Sequence, residues 1–507
     1  MAYSPVVFAA ISLLAALIGF ATFKQVKLYY SRRRLALENG CKPIQGRFPH
    51  KDPILGTDYM REGMAAKAKF KALERVSGLF DRLGATYSFR LFHKTMVMTA
   101  EPENIKAILS VKFNDYGSGN RAKVLGPLLG RGIFTTDGES WAHSRAMIRP
   151  NFTRHQVSNL DAVEEYVQDM FKLIPRDGSE VDLQPLFFRL TMDSATEFLF
   201  GQSVHSLRPD IPGIPSGNAF ARAFDLAQYH CSLRFRMGLL ASIKGQPKED
   251  VEAIQTCHAY VERFVDDAIR YREKYSSGDG PSEKRYTFLY ELVKETMDRV
   301  RLRDEVMNLL LAGRDTTASL LSNLFHHLAK RPEVWKHLHA EVATLDGARP
   351  GFEQLKELTY LQRCIKESLR LNPPVPGILR EAIKDTVLPV GGGVDGKSPL
   401  FVKRGTLFSL SVYGMHRRKD IYGPNAREFD PDRWEKLRPQ GWEYLPFNGG
   451  PRICIGQQYA LTEAAYVIVR MLQEYQSMES HDPLPWLEQM AVTCCSANGV
   501  KVALTPA

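Results

Sequence analysis

Phe447-Asn448-Gly449-Gly450-Pro451-Arg452-Ile453-Cys454-Ile455-Gly456 is the stretch on which the reading of this chain turns, and it runs straight into a helix-period pattern, Gln457–Tyr475. Taken alone, Cys454 reads as a buried thiol acting as a small hydrophobe. Its neighbours say otherwise. Gly450 and Gly456 let the backbone turn tightly and approach another group closely. Arg452 is expected to bring a cation beside the sulfur, and the amino terminus of the coming helix favours an anion there; both push toward thiolate. A thiolate on a short rigid loop, with Phe447 available to cover it, suits an axial iron ligand.

Outward from this loop, helix-period patterning dominates, at Val163–Leu173, Ile254–Tyr271, Asp304–Lys330 and Phe352–Leu371. Alternating stretches are fewer and shorter: Tyr87–Leu91 with Thr95–Thr99, Leu407–Val412 and Val500–Leu504. The expected fold class is mainly α with a minor β portion. Loops rich in Pro, Gly and Ser at Ser206–Gly217 and Ser276–Lys284 mark where a domain boundary would fall. With 44% hydrophobic and 24% charged residues in 507, disordered and fibrous architectures are excluded. Seven scattered cysteines, an odd count, give no disulfide framework and favour a reducing compartment.

The amino terminus carries the other strong signal. Val6 to Phe23 contains no charge, and as a helix it would span about 27 Å, close to the hydrocarbon core of a thin bilayer. The formal net charge of +10 is concentrated just behind it: eight Lys or Arg and one acid lie between Lys24 and Lys51, leaving +3 for residues 52–507. A basic flank after the apolar run predicts an uncleaved single-pass anchor with the remainder in the cytosol, and it removes nucleic acid as the explanation of the charge. The chain divides into an anchor (6–23), a basic, proline-containing linker (24–53) and a catalytic domain (54–507), with Lys42–Pro53 expected to be an extended hinge. On the cytosolic side the sequon Asn151-Phe152-Thr153 is expected to stay unmodified.

Gly391-Gly392-Gly393-Val394-Asp395-Gly396-Lys397-Ser398 fits both G-x-G-x-x-G and G-x-x-x-x-G-K-S. A phosphate loop needs a helix behind it to hold the anion. Here Pro399 to Gly405 is followed by a β-rich run, so a glycine-rich turn joining two strands is expected and a P-loop nucleotide-binding protein is the rejected alternative. Within Asp304–Lys330, Leu309-Leu310-Leu311 leads into Ala312-Gly313-Arg314-Asp315-Thr316-Thr317. Two readings stand for it: a polar notch in one helix, or a break with Asp315 capping a second helix. Glu367 and Arg370, three apart, read as a surface ion pair, and Trp141 and Arg145, four apart, share one helix face.

F-x-x-G-x-R-x-C-x-G, matched here at every fixed position, resembles the haem-ligand signature of the cytochrome P-450 superfamily. The resemblance covers about residues 40 to 507, with the motifs in the family's order. It implies a single P-450 domain binding haem b, with Cys454 as axial iron ligand. Phe447, Gly450, Gly456, Trp141, Arg145, Arg452 and Arg380 would contact the cofactor, the cations meeting its propionates. It implies Asp315 and Thr316 as the acid–alcohol pair that delivers protons to dioxygen, and Glu367, Arg370 and Arg433 as a structural triad behind the cysteine loop. Gly40–Pro43, Phe48–Gly56, Phe113–Tyr116, Ala312–Thr317 and Gly391–Pro399 look like fungal n-alkane and fatty-acid ω-hydroxylases.

The resemblance further implies electrons from NADPH through a separate cytochrome P-450 reductase, the lipophilic substrate being a small molecule. The enzyme is expected as a monomer in the endoplasmic reticulum membrane. A basic face including Arg417, Arg418 and Lys419 could meet an acidic reductase, or be a solvated charge cluster. By family position the pocket draws on Phe113–Phe134, Asn308, Leu311, Ile378, Leu379 and Cys495–Asn498. A tailoring oxygenase of secondary metabolism, acting on polyketides or terpenoids, is the alternative to fatty-acid or alkane hydroxylation. A haem sensor without turnover is disfavoured by the intact Asp315–Thr316 pair.

Overall fold

The computed structural model describes residues 5–92, 94–153, 160–210, 216–237, 245–274 and 287–507. The loop expected at Ser276–Lys284, and residues 211–215 of the Ser206–Gly217 loop, lie outside them. The helix Arg299–Ala329 is the axis of the helical part, and most of its residues are buried. It starts on Asp298, whose carboxylate accepts the N–H groups of Val300 and Arg301 at 3.0 and 3.1 Å, a side-chain cap. It runs unbroken through Gly313, so the reading with a break and a second helix capped by Asp315 is corrected. Gly313 faces Ala195 of the helix Leu183–Phe200, and two small residues there let the helices cross closely. Burial of Phe187 against Phe325, ring centroids 5.0 Å apart, compensates the roughly 1 kcal/mol that a helical glycine costs.

The other helical patterns are found with shifted ends, as Asp161–Phe171, Lys248–Lys274 and Gln457–Glu474. Phe352–Leu371 differs, because it splits at Leu358 into Phe352–Glu357 and Thr359–Leu371. The reason is tertiary: the Glu341 carboxylate of the helix Pro332–Val342 accepts from the N–H groups of Tyr360 and Leu361 at 2.8 and 2.9 Å, capping a new helix start. The β portion is a five-stranded sheet in the order Thr86–Leu91, Lys94–Thr99, Leu407–Ser411, Gly377–Ala382 and Tyr116–Gly117, with smaller sheets beside it.

The helix Pro5–Glu38 passes the apolar segment without interruption. From Phe8 to Phe23 its residues are exposed all round, whereas Leu28, Arg32, Leu35 and Ala36 are half-buried on one helical face. Arg32 donates to both Asp385 oxygens, at 2.8 and 3.2 Å. Beyond Glu38 the chain is seated rather than hinged. Lys42 N–H donates to the Pro399 carbonyl at 2.9 Å, Gly393 N–H to the Pro43 carbonyl at 3.0 Å, and Ile44 bridges Gly393. This corrects the hinge expectation: an extended proline-containing segment leaves its backbone groups free, and the domain pairs with them.

Those contacts explain the glycine-rich stretch. Strands Thr386–Gly392 and Ser398–Val402 are antiparallel, and no helix follows them before Leu407–Ser411. Gly391, Gly393 and Gly396 have φ of 107°, 80° and 69°, and a side chain at Gly392 would collide with the Lys42 and Pro399 carbonyls. The turn is shaped for tight folding and backbone approach.

One buried polar network ties together the irregular chain between His416 and Arg433. Glu367 and Arg370 are fully buried, which overturns the surface-pair reading. Arg370 Nε and Nη2 donate to Glu367 at 2.9 and 2.8 Å, and Arg433 Nε donates to Glu367 Oε1 at 2.9 Å. The two guanidiniums then gather the carbonyls of His416, Ala426, Glu428, Tyr422 and Asn425. His416 extends the network: Leu445 N–H donates to its Nε2 at 2.9 Å, so its Nδ1–H donates to the Arg370 carbonyl at 3.1 Å.

Burial, aided by the Arg370 charge, pushes the His416 pKa down to about 3. The unfolded chain binds this proton near pH 6.5, so the neutral ring stabilises the fold above pH 6.5 and loses that contribution as pH falls toward 3. The stability gap between the wild type and His416→Gln should therefore shrink by about 2 kcal/mol between pH 7.5 and 5, measured by denaturant unfolding in detergent. A gap independent of pH would refute the neutral His416.

Candidate active site

The cysteine loop is shaped by left-handed turns and close backbone approach. Asn448 and Gly450 have φ of 64° and 67°, and a side chain at Gly450 would collide with the Leu109 carbonyl. Gly456, with φ −86°, is not in that region; its Cα simply faces the Phe152 ring, so the tight turn expected there is corrected. Cys454 N–H donates to the Phe447 carbonyl at 2.9 Å, which closes the loop, and the Phe447 side chain packs on the helical core.

Cys454 is exposed, yet protein atoms surround its sulfur, so the thiol opens onto a recess. Burial raises its pKa above the usual thiol value, while the Gly456 N–H and the Arg145 charge act in the opposite sense. The expected role of Arg452 is corrected. Its guanidinium turns away to the carbonyls of Ile133 and Thr136, at 3.3 and 2.9 Å, and to Asp137 at 2.6 Å. Arg145, which donates to the Ile453 carbonyl at 3.0 Å, is the cation that acts on the sulfur.

Above the loop lies a concentration of positive charge. Trp141, buried on the helix Gly138–Ile148, has the Arg452 and Arg145 guanidiniums 4.5 and 5.9 Å from its ring centroid. Arg121, Arg380 and Arg452 crowd one another. Burial and mutual repulsion hold Arg380 down to about 9 and Arg452 to about 10, and Arg121 is lowered by burial. Asp137 is the acid that faces them; despite burial its carboxyl is lowered, by hydrogen bonds from Ser118 and by the Arg452 and Arg380 charges. A recess with three guanidiniums and one carboxylate is short of negative charge, and it fits a ligand bearing two carboxylates beside an accessible thiol. Sequence reasoning missed Arg121 and Asp137, which sit in no motif.

Asp315 and Thr316 occupy one turn of the unbroken helix. The Thr316 hydroxyl donates to the Ala312 carbonyl at 2.6 Å, giving the polar notch expected there. Asp315 is buried and paired with Arg314 at 3.0 Å. Burial raises it to about 6 against the pull of Arg314, and Asp225 adds to the rise. Arg314 also pairs with Asp225 of the helix Gly217–Met237 and lies over the Phe188 and Phe224 rings.

Of the residues expected in a pocket, Leu311 and Ile378 are buried in apolar clusters, and Cys495 lies close enough to Asp315 for that charge to raise its thiol. Asn308 does not line a pocket. It is wholly buried, with its amide spent on the chain at 129–134. Nor do Arg417–Lys419 form a free basic face, since Arg417 stacks on Tyr413 at 3.4 Å and Arg418 pairs with Glu101 and Asp420. Asn151 of the sequon is buried with its amide on the Met147 carbonyl at 3.1 Å.

The family model for cytochrome P450 matches residues 64–500. Among similar proteins, cytochrome P450 monooxygenase himC of Aspergillus japonicus is 49% identical over 499 residues, covering 96% of this chain and 89% of that protein. Cytochrome P450 monooxygenase fsdH of Fusarium heterosporum is 45% identical over 508 residues, covering 98% and 89%. Cytochrome P450 52A12 of Debaryomyces hansenii is 41% identical over 517 residues, covering 97% and 96%. With a thiol at the wall of a cation-lined recess and a family match over most of its length, this chain belongs to the cytochrome P450 family of haem-thiolate monooxygenases.

Proposed function

We propose that this enzyme hydroxylates an unactivated C–H bond of a lipophilic substrate, foremost a long aliphatic chain at or near its end. Electrons would come from NADPH through a separate reductase. The observation that carries the reading is the accessible Cys454 thiol facing a recess where Arg121, Arg380 and Arg452 outnumber Asp137. Haem b bound on Cys454 supplies the dioxygen activation and the electron donation that favours O–O cleavage.

The chain's own groups do the rest. Cys454 releases its proton when it ligates iron, and the Gly456 N–H and Arg145 charge hold the negative sulfur. Trp141, Arg145, Arg380 and Arg452, joined by Arg121, hold and orient the two carboxylates of the cofactor. Phe447, Gly450 and Gly456 keep the loop close to it. Asp315, raised to about 6, carries a proton on a fraction of molecules near neutral pH, and Thr316 holds one at Oγ1. Together they donate the protons that dioxygen reduction consumes. Glu367, Arg370 and Arg433 brace the loop without touching substrate.

Residues 6–23, the basic flank and the exposed apolar surface from Phe8 to Phe23 support a single-pass anchor. On this reading the membrane is that of the endoplasmic reticulum, the domain from residue 54 onward is cytosolic and the enzyme acts as a monomer. For the reductase, the site favoured over Arg417–Lys419 is a cleft where Lys356, Lys366 and Arg438 lie beside Trp434 and Tyr444, its Arg363 being paired with Glu435. Its cations suit an acidic partner, and Trp434 joins it to the triad by donating to Glu367 at 3.0 Å. A secondary-metabolite substrate is the second reading, favoured by the 49% identity over 96% of this chain to the Aspergillus protein, against 41% over 97% to the Debaryomyces protein and 47% over 76% to a Candida one.

The reduced, CO-treated protein should show the red-shifted Soret band of a thiolate-ligated haem, and Cys454→Ala should abolish it; an unchanged band in the variant would overturn the assignment. Mass spectrometry of the reductase-reconstituted enzyme with fatty acids, alkanes and fungal extracts should give a terminally hydroxylated chain, whereas products only from extract would favour the second reading. Thr316→Ala should raise hydrogen peroxide release relative to product by about tenfold. Unchanged coupling would remove Thr316 from proton delivery.

A further inference from the structure

Past its apolar run the helix Pro5–Glu38 continues as Lys24 to Glu38, where cations alternate with a narrow apolar stripe. Leu28, Arg32, Leu35 and Ala36 face the domain, half-buried, while Lys24, Lys27 and Arg33 stay exposed. The contact is with the hairpin of strands Thr386–Gly392 and Ser398–Val402. Arg32 meets Asp385 at the base of this hairpin, and Lys42 and Ile44 meet Pro399 and Gly393 toward its tip. The chain therefore runs along the hairpin from base to tip, and the base is the end nearer the apolar span. An unbroken helix is also a ruler. From Phe23, the last residue of the uncharged run, to Arg32 is about 13 Å along the axis. With the hydrocarbon edge at Phe23, the hairpin base lies at the outer rim of the headgroup layer, within reach of a lysine or arginine side chain.

The base is a firm platform. Gly405 N–H donates to the Ala382 carbonyl at 2.7 Å and Ala382 N–H to the Thr406 carbonyl at 3.0 Å, which binds the loop after the hairpin to the end of the strand Gly377–Ala382. Arg404 N–H donates to Asp385 at 2.7 Å, so one carboxylate joins this loop to the anchor helix. Despite burial that carboxyl is lowered, by hydrogen bonds from Arg32 and the Arg404 N–H and by the Arg32 and Lys403 charges. Asp385 is thus spent on Arg32, and Asp115 is spent on Lys384 at 2.8 Å. Lys403 and Arg404 are exposed, and their side chains have no partner among the described residues.

We propose that the base of this hairpin is a second membrane contact, in which Lys403 and Arg404 bind the phosphates of anionic phospholipid headgroups while the docked helix holds them at that depth. This rests on reading residues 6–23 as a membrane anchor. The lipid is recognised by charge: two cations left without acids of their own stand at the level where phosphates are densest. An anchor by itself leaves the domain free to pivot about the helix axis. A contact to one side of that axis fixes which face of the domain turns to the bilayer.

The test uses the full-length, haem-loaded protein in detergent and in nanodiscs of phosphatidylcholine with or without phosphatidylserine. Lysine acylation is followed by mass spectrometry, comparing Lys403 at the base with Lys397 near the tip, both exposed. Acylation of Lys403 should be about threefold or more slower in phosphatidylserine nanodiscs than in detergent and should recover with added salt, while Lys397 is unchanged. In Arg404→Glu, which should keep the reduced-CO band, the slowing that phosphatidylserine adds should be lost. Amide exchange over residues 8–23 reads the anchor independently. Exchange there as fast in nanodiscs as in detergent would refute the anchor and this contact with it. An anchor protected by lipid, with Lys403 acylated as fast in nanodiscs as in detergent, would overturn the contact alone. Slowing of Lys403 only on addition of the reductase would assign the cations to an acidic protein and likewise overturn the lipid contact.

Discussion

Glu367 is the group on which the site's architecture depends. A carboxylate with no exposure at all can exist in a protein only if its charge is met, and here two guanidiniums, the Trp434 indole and the Asp430 N–H converge on it. Each arginine has donors left over, and these collect carbonyls from the irregular chain between His416 and Glu428. That chain has no sheet or helix long enough to hold it. The network substitutes for secondary structure and, through His416, reaches Leu445, two residues before Phe447. Removing one partner would leave buried charge uncompensated, which costs far more than the pair's net contribution to stability.

The opposite side of the recess is built on an imbalance. Arg121, Arg380 and Arg452 share one acid, Asp137, and burial makes their repulsion costly. Electrostatic strain of this kind is tolerated where a ligand of opposite charge relieves it. Arg452 serves both sides: it meets the cation cluster and also fastens the loop that carries Ile133 and Phe134.

Much of this was legible in the sequence. The five fixed positions around Cys454 pointed to the family that the comparisons show. The helix-period runs placed the long helices, because their apolar stripes face one core. The glycine-rich stretch was separated from a phosphate loop by the missing helix. What escaped depends on partners distant in sequence. The split at Leu358 is caused by Glu341, the seating of residues 42–44 by the hairpin at 391–399, and the orientation of Arg452 by Asp137 and two carbonyls. Arg121 belongs to no motif and is recognised only by the charges it meets.

By itself the sequence determined the family and the fold class and singled out one apolar amino-terminal helix and one cysteine loop, since each is written in local chemistry: a repeating apolar period, an uncharged run, a cysteine framed by glycines and an arginine. Only the tertiary structure decided that Arg145 rather than Arg452 acts on the sulfur, that Asn308 braces a loop instead of lining a pocket, and that the segment behind the anchor is seated on the domain. The reason is that charge and hydrogen-bond capacity act through space. A side chain declares its type in the sequence, but its role is set by which donors and acceptors the folded chain leaves within 3 Å of it.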